Sequence, residues 1–152
     1  MSGAVRPGGH LYWSELACRD RMMTPYPLDW RTDPTRLPLL LDAFEAVREE
    51  CCKVEGRDVP LLVLEGYRTP AYQEMLRKNP RYRAAKNSQH VQGRALDVAC
   101  PRGMTFDEFT ECVRRAASRE DSPIRYIELR PSMHYIHFDV RPTQRLVEET
   151  VA

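Results

Sequence analysis

Ser88-Gln89-His90-Val91-Gln92-Gly93-Arg94-Ala95-Leu96-Asp97-Val98 holds one imidazole and one carboxylate seven positions apart, with a glycine between them. Gly93 permits a sharp turn between His90 and a strand beginning near Arg94, so these two metal-type side chains can converge. Along that strand a period of two puts Ala95 and Asp97 on one face, and the small Ala95 leaves room beside the carboxylate. A second segment, Met133-His134-Tyr135-Ile136-His137-Phe138-Asp139-Val140, repeats the theme. His137 and Asp139 fall on one face of a strand, while Ile136, Phe138 and Val140 fall on the other and are expected to pack inward. Three of the four histidines lie in these two segments.

Working outward, Pro60-Leu61-Leu62-Val63-Leu64 is a short apolar run that reads as a buried strand stopping at Gly66. Residues 71–78 then read as a short helix, and residues 79–87, which lack periodicity and carry Pro80, as an exposed loop. Leu40, Ala43, Phe44, Val47 and Cys51 recur at intervals of three and four, the stripe of an amphipathic helix between residues 37 and 54. Thr105-Phe106-Asp107-Glu108 has the capping-box spacing, and Phe109, Cys112, Val113 and Ala116 follow at helical intervals to about Ser118. Residues 124–129 and 135–140 are β-rich and close in sequence, which predicts an antiparallel pair. The expected fold is α+β: a small, mainly antiparallel sheet flanked by helices.

The 152 residues fit one domain, taken as residues 1–152. Hydrophobic residues are 42% and charged residues 30%, enough apolar material for a core and too much for a disordered tail. A net charge of +1 supplies no global field for coating nucleic acid. No apolar run suits a membrane helix, and residues 1–9 lack the apolar core of a secretory signal. A soluble monomer made in the cytoplasm is expected, without nucleic-acid or membrane partners. Five cysteines, Cys18, Cys51, Cys52, Cys100 and Cys112, form no C-x-x-C pair and read as reduced, mostly buried thiols. Arg77, Lys78, Arg81, Arg83 and Lys86 form a basic stretch that reads as a solvated loop, or as one that steers an anionic substrate.

The pattern S-x-H-x-x-G-x-A-x-D, met by Ser88, His90, Gly93, Ala95 and Asp97, resembles that of the zinc D-Ala-D-Ala metallopeptidases. That family includes D-alanyl-D-alanine carboxypeptidases, VanX-type dipeptidases and phage endolysin peptidases, and shares the hedgehog fold. Gly66-Tyr67-Arg68-Thr69-Pro70 is similar to its Gly-Tyr-Arg turn, and His137-Phe138-Asp139 to its closing His-x-Asp. The opening His10-Leu11-Tyr12-Trp13-Ser14-Glu15-Leu16-Ala17-Cys18 is similar to the start of compact members, so the likeness spans nearly the whole chain. It implies that His90, Asp97 and His137 bind a catalytic zinc, leaving a fourth position for water that attacks an amide carbonyl. It further implies that Arg68 stabilises the developing oxyanion, a donor whose loss typically costs about 3–4 kcal/mol. Tyr67 is expected to contact the substrate, a peptidoglycan stem peptide or another D-amino-acid peptide, and Ser88 either to contact it as well or to fix the loop.

The general base departs from the family. Members of the VanX type have a glutamate three residues before the last metal histidine, where this chain has His134; others have a histidine two residues before it, where this chain has Tyr135. His134 is the expected base if the chain bends before Tyr135, as Pro131-Ser132 allows, with Glu128 the weaker candidate. Glu65 replaces a small hydroxyl residue and Gln73 an asparagine, departures that bear on substrate choice. The expected activity is zinc-dependent hydrolysis of a stem-peptide amide bond, as carboxypeptidase or endopeptidase, acting on the wall after lysis or secretion. The rivals are a zinc-binding recognition module without catalysis and a phage structural protein of the same fold.

Overall fold

The computed structural model of the chain describes residues 3–82 and 84–152; Arg83 of the basic stretch lies outside the described residues. Four helices run in chain order as α1 (Trp13–Leu16), α2 (Leu37–Glu55), α3 (Pro70–Lys78) and α4 (Phe106–Ala117). Five strands, β1 (Val63–Glu65), β2 (Ala95–Ala99), β3 (Tyr126–Arg130), β4 (Tyr135–Asp139) and β5 (Val147–Thr150), form one sheet in the order β1-β2-β4-β3-β5. Only β5, parallel to β3, departs from antiparallel pairing. The expected α+β architecture is the one observed.

Local chemistry sets the elements. The Thr105 hydroxyl accepts from Glu108 N at 3.1 Å, and the Glu108 carboxylate accepts from Thr105 N at 2.8 Å, a reciprocal cap that opens α4. Thr69 caps α3 by accepting from Tyr72 N, with Pro70 at the first helical position, where its missing N–H is no loss. α2 ends at Gly56 in the left-handed region. The apolar run from Pro60 pairs as regular strand only from Val63, although Leu62 still accepts from Ala99 N at 3.0 Å.

Alternation divides the sheet into two faces. Leu96, Val98, Ile127, Leu129, Ile136 and Phe138 are buried in one cluster with Phe44 and Val47 of α2 and Phe109 and Val113 of α4. Each such side chain contributes about 1.5–3 kcal/mol by leaving water. The opposite face carries Asp97, Glu128, Tyr135, His137 and Asp139, so the hydrophobic packing of one side fixes the polar groups of the other. All five cysteines are free thiols. Among the described residues no helix is long and apolar enough to cross a membrane.

Candidate metal centre

Register alone brings Asp97 of β2 directly opposite His137 of β4, with Glu128 of β3 on His137's other side. His90 arrives from the loop before β2. Its backbone N donates to Ser88 Oγ at 3.1 Å, and its carbonyl accepts from Arg68 N and Gly93 N at 3.1 and 3.2 Å. Gly93 takes a φ of +69°, and a Cβ there would meet Trp30 and Tyr26 atoms at 2.7 Å. The Tyr26 hydroxyl donates to the Gly93 carbonyl at 2.6 Å, and the Tyr26, Trp30 and Tyr67 rings pack edge to face within 6.2 Å of one another. An aromatic wall therefore holds the turn that delivers His90. Gly66 permits another close approach, since a Cβ there would lie 2.9 Å from Leu16 Cα.

One ligand atom from each of His90, Asp97 and His137 lies within 4.8 Å of the others, a group that could hold a metal ion. His90 and Asp97 are buried, and His137 keeps 12% of its side chain accessible. The outer nitrogens are occupied. His90 Nδ1 donates to the Gly66 carbonyl at 2.7 Å, because a carbonyl can only accept, and His137 Nε2 lies 2.7 Å from Asp139 Oδ2. Arg141 grips Asp139 with Nε and Nη2 at 2.8 and 2.7 Å, and its guanidinium lies over the Tyr126 ring at 3.9 Å. The inner nitrogens, His90 Nε2 and His137 Nδ1, both face Asp97 Oδ1, at 3.1 and 2.9 Å.

The donor set fits a cation. Burial holds the His90 imidazole below its usual range, so the ring is neutral and presents a lone pair to a carboxylate. Two acceptors face each other there, an arrangement that a positive charge between them relieves. Burial opposes the charged forms of Asp97 and His137 as well, yet their mutual contacts win. His90 and His137 hold Asp97 far below the carboxylate range, while the hydrogen bonds His137 donates to Asp139 and Asp97 push its ring up to about 9. Two nitrogens and one oxygen suit zinc.

Arg68 stands beside the cluster with its side chain 13% accessible. Nη1 donates to Gln73 Oε1 at 3.1 Å, Nη2 lies 3.5 Å from Asp97 Oδ2, and Nε lies 3.6 Å from Glu65 Oε2. Gln73 also donates to the Ala85 carbonyl at 2.7 Å, tying α3 to the loop that follows it. Ser88 lines a cleft with Gln73, Lys86 and Arg94. Tyr67 is buried in the aromatic wall behind the His90 turn.

The structure does not bring His134 to the cluster. The expected bend exists, as a 3-10 turn at Pro131–Met133 closed by His134 at φ +57°, but it sends the imidazole against the Phe106 ring, 5.8 Å away. There His134 is exposed and borders a separate cleft with Leu62, Cys100 and Met104. Glu128, by contrast, lies on the polar face beside His137 with 16% of its side chain accessible, ion-paired to Arg130. One residue of the site went unread in the sequence, Arg141. Arg141 extends the alternation His137, Asp139, Arg141 by one more step, a signal that was available. Tyr135 shares the face of His137 by the same period.

The model of a family described as "Peptidoglycan L,D-endopeptidase MepK" matches residues 14–145. Among solved structures, the chain is similar to the Serratia marcescens L-Ala D-Glu endopeptidase ChiX, with 22% identity and a TM-score of 0.45, over 69% of this chain and 80% of that one. No curated protein matches it.

Proposed function

The chain belongs to the peptidase family described as peptidoglycan L,D-endopeptidase MepK, and we propose that it is a zinc-dependent peptidase hydrolysing an amide bond in peptidoglycan stem peptides. Between the two actions the sequence leaves open, the family description favours cleavage within a peptide over release of its last residue. The carrying observation is the convergence of His90 Nε2, Asp97 Oδ1 and His137 Nδ1, each imidazole's other nitrogen being occupied by a protein acceptor. Outer contacts of this kind fix ring orientation and tautomer in metal sites.

His90, Asp97 and His137 would hold the ion. Bound zinc supplies Lewis acidity and brings the pKa of a water toward ~7. The chain's own groups do the rest. The Arg68 guanidinium, fixed by Gln73, offers positive charge to a carbonyl oxygen that becomes negative during attack. Glu128, on the polar face next to His137, takes the proton from the attacking water and returns it to the departing amine. Ser88, on the lip of the cleft beside Gln73, contacts the peptide, and Tyr67 supports the site from behind.

Mass spectrometry of purified muropeptides tests the reading. Zinc-loaded protein is expected to generate a pair of fragments differing from the substrate by one added water, and His90→Ala to generate none. Intact muropeptides after incubation with the zinc-loaded protein, or cleavage that survives His90→Ala, would contradict it.

A further inference from the structure

Tyr135 sits two residues before His137 on β4, half-buried, with Ala99 of β2 and Arg130 of β3 as its cross-strand neighbours. The period of two places its side chain on the face of His137 and Asp139. The charged groups around it are Asp97, Arg130, Glu128 and Arg68, of which Asp97, Glu128 and Arg68 belong to the proposed site. Ala99 across from it is small, so the phenol ring has room over β2 beside Asp97.

The hydroxyl is free to act. It hydrogen-bonds no described residue, and it is not among the buried polar atoms left without a partner, so its oxygen keeps some access to solvent. Other tyrosines near the site differ. Tyr126 spends its hydroxyl on Glu149 at 2.8 Å, and Tyr26 spends its own on Gly93 at 2.6 Å. Arg68, meanwhile, is shared among Gln73, Asp97 and Glu65, so its charge is partly answered by two carboxylates. A carbonyl oxygen gaining charge beside Arg68 would gain from a second, neutral donor.

We propose that Tyr135 is a catalytic residue: its unpartnered hydroxyl, on the sheet face that carries Asp97 and His137, donates a hydrogen bond to the oxygen of the scissile carbonyl during water attack. The water oxygen bonds to the carbonyl carbon, the carbonyl π pair moves onto oxygen, and Tyr135 and Arg68 hold that charge. When the carbon–nitrogen bond breaks, the pair returns to re-form the carbonyl and the amine leaves with a proton from Glu128. Tyr135 keeps its own proton throughout and acts only as a hydrogen-bond donor.

This inference rests on the hydrolase reading, and the test separates the two. Tyr135→Phe keeps the ring and removes only the oxygen. In the zinc-loaded protein it is expected to lower kcat by about 10²-fold, the usual effect of losing one oxyanion donor, with KM and bound zinc unchanged. By calorimetry, a phosphinate pseudodipeptide, whose tetrahedral oxygen mimics the charged carbonyl, should bind Tyr135→Phe more weakly, while the cleaved peptide product binds it as it binds wild type. Wild-type kcat and phosphinate affinity in Tyr135→Phe, beside an inactive His90→Ala, would overturn the role of Tyr135 alone. A fall in kcat matched by loss of zinc would also overturn it, since the side chain would then be structural. Cleavage that persists in His90→Ala would instead remove the hydrolase reading.

Discussion

His137 holds a proton that a metal ion at the proposed site would have to displace. The ring sits between Asp97 and Asp139, whose hydrogen bonds outweigh burial and push it from 6.5 up to about 9. Below about 9 the metal-free ring is charged and Nδ1 carries a hydrogen; coordination requires that hydrogen to leave. His90 is already neutral, held low by burial, and contributes no competing proton. Zinc affinity is therefore expected to rise about tenfold per pH unit from neutrality up to about 9, then level off, as read by competition with a chromophoric chelator. An affinity independent of pH across that range would contradict the protonation assigned to His137. In the metal-free protein the same group contributes stability fully below 6.5, and this contribution fades as the pH rises through about 9. The two base candidates, Glu128 and His134, give a second prediction at this scale. Glu128→Gln is expected to lower kcat by about 10²–10⁴-fold with zinc retained, the range for a lost general base. His134→Ala, remote on Phe106, is expected to leave kcat unchanged. Steady-state kinetics on a defined muropeptide distinguishes the two assignments, and the reverse pattern would restore His134.

The His90 turn is the element on which the cluster depends. It is held by Tyr26 on the Gly93 carbonyl and by the absence of any side chain at Gly93. Gly93→Ala combines a left-handed φ with a Cβ driven against Tyr26 and Trp30, and is expected to destabilise the fold by about 1–3 kcal/mol. Urea denaturation checks it; a variant as stable as wild type would show that the wall yields. This turn was legible in the sequence because glycine, imidazole and carboxylate stand at fixed offsets and the strand period of two does the rest. α4 was legible for a similar local reason, the Thr105–Glu108 reciprocity. β5 was not, since Val147–Thr150 is exposed and polar, and its place beside β3 depends on a parallel pairing with residues some twenty positions earlier. The direction of His134 was also hidden. It depends on that residue's own left-handed backbone, which a histidine rarely adopts and no spacing announces.

Across the whole molecule the sheet works as a partition. Its apolar face binds α2 and α4 into one core, and this fixes the strand register that sets Asp97, His137, Glu128 and Tyr135 side by side on the other face. The fold class could be read before the structure because alternation along β4 already separated Ile136, Phe138 and Val140 from His137 and Asp139. The pairing of β3 with β4 was legible too; what the sequence withheld was the place of β2 on the other side of β4, which sets Asp97 opposite His137. The central claim is that this face assembles one metal position from three side chains and leaves one coordination corner for solvent. Crystals of the zinc-loaded protein, measured at the zinc absorption edge, test it most directly. The account predicts one anomalous peak, about 2.0–2.2 Å from His90 Nε2, an Asp97 carboxylate oxygen and His137 Nδ1, with solvent completing a tetrahedron. No peak among these three residues, or a fourth protein ligand closing the corner, would contradict it.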